Sequence, residues 1–360
     1  MKNTDLYLLK FYTSLVYRLR QRFKSKKESL LEWAVKSPVQ STVYYTLIDD
    51  SFDSEHFRVL SGKHNFKSNK ASSGIYARTR RNIHRIEKGI SASFLAKKNV
   101  FALEYIEETI EGVGDLLKSN YLNTPFHKWS FDVLNNYFSV IEKDDFCDSL
   151  NAKWKLIVEE YPLTNTETKN HAPFHYRDLP VSNVTFPELN ALFKKRHSVR
   201  WYNEKEVNVK LVKDAVQAAL QSPSACNRQP FEVLYITGAK LEQLKALKLG
   251  FGIFSSTIKS FLFIVGDLSS YIEERDKHLI YIDGSLFAMS LMLALESLGI
   301  SSCPINFPDE KKLDNKVQKI LGLKDYQKGV MLMSIGYAND DSPIPYSAKK
   351  NVDEIFKELN

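Results

Sequence analysis

Three hundred and sixty residues, 43% hydrophobic and 26% charged, make a chain long enough for about two domains and too apolar to stay disordered. Fourteen Gly, twelve Pro and three Cys exclude a collagenous, low-complexity or disulfide-stapled chain, and Cys147, Cys226 and Cys303 stand singly, without C-x-x-C spacing. The formal charge of +7 comes from fifty basic residues against forty-three acidic ones, a mixed surface without zinc-finger spacing, an RNP-like motif or a long Lys/Arg tract, so nucleic acid is not an expected partner. Unpaired cysteines suit a reducing, cytoplasmic setting. The longest apolar run, Ser285 to Leu298, falls short of the roughly 18 to 20 uncharged residues that a spanning helix needs.

Along the chain, Leu8, Phe11, Tyr12, Leu15, Leu19 and Phe23 recur at helical spacing within a helix expected over Leu6 to Val35. Lys24, Lys26 and Lys27 follow the apolar residues, which is the reverse of a secretory signal. The segment reads as a helix packed on the body with a solvated basic end, with peripheral attachment to an anionic membrane through residues 6–27 as the alternative. Further helices are expected at Tyr76 to Gly89, Tyr105 to Lys118 and Phe126 to Glu142. Tyr161 to Pro187, with four Pro and no helical period, reads as a linker. Beyond it helices and strands alternate. Helices are expected at Val209 to Gln221, Ala239 to Leu247, Asp283 to Leu298 and Asp309 to Leu321. Strands are expected at Phe231 to Thr237, Ser260 to Gly266, Ser301 to Ile305 and Val330 to Gly336.

Two segments carry the chemistry. In Arg196-His197-Ser198-Val199-Arg200, alternate positions of an extended segment would put two guanidinium forks and a hydroxyl on one side, a set suited to phosphate or a planar oxygen-bearing ring. A solvated basic loop is the plainer reading. In Ser222-Pro223-Ser224-Ala225-Cys226-Asn227-Arg228-Gln229-Pro230, two Pro punctuate a turn whose Ser, Asn and Gln side chains can hydrogen-bond a polyol or heterocycle. By itself it could be a helix-to-strand connector.

Together these segments resemble the signature of the nitroreductase family of FMN-dependent oxidoreductases, an R-R-S-V-R-like element followed about twenty-five residues later by A-P-S-x-x-N-x-Q-P. The resemblance continues through a long helix over residues 284–300, a terminal strand at 334–338 and a basic pair in 345–355, and covers roughly residues 190–356. It implies an α+β fold, a nitroreductase-like sheet flanked by helices over 186–360, preceded by a mostly α-helical extension and linker over 1–185. It also implies FMN as cofactor, NAD(P)H as electron donor, a small-molecule acceptor, a ping-pong cycle and a homodimer. By the family pattern Arg196 would meet the phosphate, Ser198 the phosphate or ribityl end, and Arg200 the N1/O2 edge of the flavin. Lys349, with Lys350 as alternative, and Ser347 would complete the phosphate site. Pro223, Ser224 and Asn227 would reach the flavin of the neighbouring subunit, with Gln229 supporting their loop. No side-chain acid, base or nucleophile is implied, because the chemistry is the flavin's.

There are departures. His197 stands where Arg is common and would give a weaker or pH-sensitive contact to the FMN phosphate, with a neutral backbone-bonded His as the plainer reading; residues 249–256 offer no clear Asn for the flavin ring, Pro304 has no amide to donate, and Lys349 replaces an Arg. His171 and His175 flank Pro173 in the linker and do not form a helical metal pair, so no metal site is expected. Cys226 reads as a small packing residue. On the expected helix around residue 80, Arg81, His84, Arg85 and Lys88 share a face, either solvated or holding an anionic substrate or nucleotide phosphate. The rival to an enzyme is a non-catalytic scaffold or envelope-associated protein in which the flavin fold is degenerate.

Overall fold

Helices fill the first 160 residues of the computed structural model, which describes residues 3–67, 72–96, 99–164, 169–247, 249, 251–252 and 254–359. They are α1 (Asn3–Phe23), α2 (Leu31–Ala34), α3 (Pro38–Leu47), α4 (Asp53–Lys67), α5 (Ser72–Ala96), α6 (Ile106–Lys118), α7 (Pro125–Val140) and α8 (Asp145–Glu160). The single helix expected over Leu6 to Val35 is broken after Phe23 by two short turns, Lys24–Lys26 and Glu28–Leu30. A polar stretch with two Ser and four charged residues has no apolar face to bury, and its serines compete for backbone groups. The basic end of α1 is docked: Arg20 grips Asp53 at 2.5 and 2.8 Å, and Lys27 meets Asp49 at 2.7 Å. Further back, Phe11, Tyr12 and Leu15 remain exposed.

The core of the helical half lies among α5, α6, α7 and α8, where Ile83, Ile86, Ile110, Val113, Leu134, Tyr137 and Trp154 are buried together. Thr124 and Asp144 cap α7 and α8 by accepting from the backbone N–H three residues on, which satisfies donors a helix start leaves free.

The second half begins with α9 (Phe186–Lys195), followed by α10 (Val209–Ala219), β1 (Phe231–Ile236), α11 (Gly238–Lys245), β2 (Ser260–Asp267), α12 (Leu279–Ser297), β3 (Ser301–Ile305), α13 (Lys311–Leu321), β4 (Gln327–Gly336) and α14 (Val352–Ile355). The linker expected through Pro187 is therefore corrected at its end. Thr185 and Glu188 form a reciprocal capping box with Pro187 inside the first turn, so that proline starts a helix. Residues 165–168 of the expected linker lie outside the described residues.

The sheet has strand order β1-β2-β4-β3 and every ladder is antiparallel, which makes this half α+β. Both faces are covered, so β2 reads as an unbroken apolar run. Phe261, Phe263 and Val265 pack with Leu241, Leu244 and Val317 of α11 and α13, whereas Leu262 and Ile264 pack with Phe287, Leu291 and Leu295 of α12. By length and composition the helix through Ser297 could cross a membrane. Here its buried face, from Ile280 to Leu295, is packed on the sheet, and only an outer stripe is open.

The two halves meet along α4 and α5. A Cβ placed on Gly62 would stand 2.6 Å from the carbonyl oxygen of Leu268, so only glycine lets α4 approach the turn after β2 this closely. Beside this contact Arg58 of α4 reaches Asp314 of α13 at 2.9 Å, and Lys328 of β4 reaches the same carboxylate at 2.7 Å.

Candidate cofactor site

Arg196 ends α9, and its N–H closes on the carbonyl of Leu192 at 3.0 Å. The chain then runs extended across the ends of β3 and β4. Ser198 pairs in parallel with Ser302, Val199 N–H donates to Ser302 O at 3.1 Å, and Asn203 N–H donates to Tyr337 O at 2.9 Å. Val199 is buried, while its neighbours Ser198 and Arg200 are half-buried, the alternation expected of an extended segment. Tyr202 locks the strip from below, its hydroxyl donating to Val199 O at 2.8 Å.

Arg196, Ser198 and Arg200 all act on Cys303, in the middle of β3. Burial pushes the Cys303 thiol up, while Arg200, a hydrogen bond from Ser198 and Arg196 pull it the other way. Among the described residues, neither Arg196 nor Arg200 has an ion-pair partner. Arg200 Nη1 makes one long contact, 3.3 Å to Ser198 O. Elsewhere Arg20, Arg58, Arg78 and Arg228 each meet a carboxylate. Next to the arginine strip the buried Ser302 Oγ has no hydrogen-bond partner, an uncommon state for a buried hydroxyl and one that a bound polar group would relieve. Sequence reasoning missed Ser302, because a serine inside a strand carries no signal of its own. His197 turns Nδ1 to Lys195 O at 3.1 Å, the backbone-bonded arrangement.

The loop 222–230 is built tightly. Ser224 Oγ accepts from Gln229 N–H, Gln229 Nε2 donates to Asn227 Oδ1, and Ala225 N–H donates to the buried Asp283 at 3.0 Å. Cys226, Asn227 and Gln229 all have φ between 51° and 53°, in the left-handed region that side chains other than glycine avoid. Pro223 is exposed at its entrance.

The arginine strip and the loop do not meet within the chain. Arg196 lies near Glu296, whose carboxyl burial pushes up and Lys195, Arg196 and His197 pull back. The loop runs along α12 from Ser290, 2.7 Å from Ser222, to Asp283. Asp283 and Glu296 are thirteen positions apart, or about 20 Å along the helix axis. Ser347, Lys349 and Lys350 lie on the exposed segment after β4, and among the described residues neither lysine has a hydrogen bond or ion pair. On the basic face of α5, His84 hydrogen-bonds Glu87 and Arg85 stacks 3.7 Å from the Tyr105 ring centre, whereas the side chains of Arg81 and Lys88 have no hydrogen bond or ion pair among the described residues; Arg78, off that face, pairs with Glu108. A cavity of about 850 Å³ between α1 and the start of α13 includes none of the candidate residues. Residues 250 and 253 of the segment 249–256 lie outside the described residues.

Asp283 gives the loop a pH signature. Burial holds its carboxyl above the ordinary value of 3.8, against the opposing Ala225 N–H and Arg228. Native protein therefore keeps a proton here that the unfolded chain has lost, and stability falls as pH rises from that value through the native one. Asp283→Asn retains the acceptor for Ala225. Its stability should decline less than wild type as pH rises above about 4, measured by urea unfolding at each pH. Parallel curves would show that Asp283 ionises in the folded protein as it does in the unfolded chain.

The Nitroreductase family pattern matches residues 193–258 and 254–337. The chain is 26% identical over 210 residues to a Streptococcus pyogenes protein described as an NAD(P)H nitroreductase, covering 48% of this chain and 99% of that one. It is 22% identical over 204 residues to 4-nitrobenzoate reductase of Pseudomonas putida, covering 44% of this chain and 88% of the relative. Among solved structures, an FMN-dependent nitroreductase of Clostridium difficile aligns with 47% of this chain and 98% of its own at 21% identity, with a TM-score of 0.39.

Proposed function

We propose that this chain, whose residues 193–337 match the Nitroreductase family, is an FMN-dependent oxidoreductase working as a homodimer. The observation that carries the reading is a pair of half-buried arginines, Arg196 and Arg200, on one anchored strip, without a carboxylate partner among the described residues and beside the Ser302 hydroxyl, which has no partner there either. Partly exposed and without a carboxylate, both guanidinium groups are available to an incoming anion. The donor set fits FMN, with Arg196 and Ser198 holding the phosphate, Arg200 facing the N1/O2 edge and Ser302 offering a further hydroxyl. Lys349, Lys350 and Ser347 would close over the phosphate from the exposed segment after β4. Bound FMN would supply hydride transfer, accepting from NAD(P)H and delivering to a small-molecule acceptor in a ping-pong cycle. The protein's part is to bind, orient and hold fixed positive charge at the edge that becomes anionic.

The dimer is supported by the outer stripe of α12. Ile282, Leu286, Met289 and Leu293 recur at helical spacing on its open side, with Ile282 53% and Leu286 44% exposed. A twofold pairing across this stripe would bring the loop of one subunit, at the N-terminal end of α12, toward the arginine strip at the C-terminal end of its partner's α12. Each flavin would then touch Pro223, Ser224 and Asn227 from one chain and Arg196, Ser198 and Arg200 from the other. The three free thiols, two of them buried, support a cytoplasmic setting.

Purified protein should be yellow, with an oxidised-flavin spectrum that NADH or NADPH bleaches. A colourless protein that also fails to take up added FMN would instead favour a degenerate, non-catalytic fold. Arg200→Met should lower the flavin's reduction potential more than it loosens oxidised FMN, because a fixed cation favours the reduced anion. An unchanged potential would remove Arg200 from that edge.

A further inference from the structure

The loop that carries Asn227 is held in an unfavourable backbone shape, with left-handed φ at Cys226, Asn227 and Gln229. Such a shape persists only where its surroundings over-determine it. Most of the restraints come from the same half of the chain: Asp283 on Ala225 N–H, Ser224 on Gln229 N–H, and the ion pair of Arg228 with Asp276 at 3.1 Å. One does not. Arg80, on α5 and 147 positions earlier, donates from Nε to the carbonyl of Asn227 itself at 3.0 Å.

Arg80 is fitted for this contact. Its side chain is buried, it has no carboxylate partner among the described residues, and its guanidinium lies 5.5 Å from the Tyr76 ring centre and 5.1 Å from that of Trp129. Nη1 donates to Tyr76 Oη at 3.1 Å, and the Trp129 ring is itself pinned by Nε1 to Glu87 at 2.8 Å. A buried cation steered by two aromatic rings and aimed at one peptide oxygen fixes the orientation of that peptide. At Asn227 the side-chain oxygen is already taken by Gln229, which leaves the amide nitrogen as the group on offer.

We propose that Arg80 is a positioning residue for flavin binding: through it the helical half holds the peptide of Asn227 so that the Asn227 amide faces the flavin of the neighbouring subunit. The proposal rests on the FMN reading above. It makes the helical half part of the cofactor site, acting on the partner subunit's flavin, although none of its residues need touch FMN.

Two variants of the full chain test it. Arg80→Met keeps an unbranched stem between the rings and removes the donors; Arg80→Lys restores one donor and the charge. In FMN-free protein, amide exchange at residues 225–231 should speed up about tenfold or more in Arg80→Met while α6–α8 stay as protected as in wild type. FMN titration of the same protein should show the dissociation constant rising by about five- to fiftyfold, with Arg80→Lys in between. Wild-type exchange and wild-type affinity in Arg80→Met would overturn the proposal. So would faster exchange spread evenly over α5–α8, since Arg80 would then serve only the helical core. If wild type itself takes up no FMN, the flavin reading falls and the assignment of Asn227 with it, and the exchange comparison alone decides whether Arg80 braces the loop.

Discussion

Asp314→Ala is expected to destabilise the folded chain by about 3–5 kcal/mol, the range found when one partner of a buried ion pair is deleted. Asp314 is 4% exposed and accepts from both Lys328, at 2.7 and 2.8 Å, and Arg58, at 2.9 Å. Its removal leaves Arg58 buried without a carboxylate, and leaves Lys328 only the more exposed Asp309 at 2.8 Å. Arg58 is on α4 and Lys328 on β4, so the same change cuts one polar tie between the halves. Urea unfolding should show the lower stability together with a loss of coincidence between probes of the helical core and of the sheet. Asp309→Ala is the control and should cost under about 1 kcal/mol, because that carboxylate remains largely in water. A loss for Asp314→Ala as small as the control's would mean that the network contributes nothing net.

Arg196→Ala is expected to raise the FMN dissociation constant roughly ten- to hundredfold, equivalent to about 1.5–3 kcal/mol for one charge-assisted contact. The effect should fall on binding and hardly at all on folding. Among the described residues the Arg196 side chain has no hydrogen-bond or ion-pair partner, and its backbone N–H, which ends α9, is unchanged by the substitution. Fluorescence titration of FMN into apoprotein measures the first quantity and thermal unfolding of the apoprotein the second. Unchanged affinity would take the phosphate away from Arg196. A fall in apoprotein stability as large as the fall in binding would make Arg196 a structural residue.

Both predictions concern charges whose partners are remote in sequence, and this is where local reading and tertiary structure part. The central strand of the sheet was legible because β2 is a short apolar run, Phe261 to Val265, between turn residues, a signal complete within eight residues. Helix α6 was legible for a similar reason, its buried Ile106, Ile110, Val113 and Leu117 falling at helical spacing. The two motifs of the candidate site were legible because each is contiguous. Helix α9 carries its own start signal in Thr185, Pro187 and Glu188, and the expected linker overran it by weighing proline as a breaker alone.

Helix α4 is the opposite case. Its buried residues are Arg58, Gly62 and Phe66, so no apolar period marks it; it is a helix because Asp314 and the backbone at Leu268 await it from the other half. The basic run on α5 shows the same division. Periodicity placed Arg81, His84, Arg85 and Lys88 on one face, but it could not assign a partner to any of them, nor single out Arg80, whose carbonyl acceptor comes from Asn227. Sequence by itself determined the order and type of most elements, the family resemblance and the two clusters of polar residues, because caps, periods and motifs act over a few residues. Tertiary structure alone decided which cations are neutralised and which stay unpaired, that the arginine strip and the loop stand at opposite ends of α12, and that the helical half grips the loop. Those outcomes depend on contacts between residues tens to hundreds of positions apart, which leave no periodic trace in the chain.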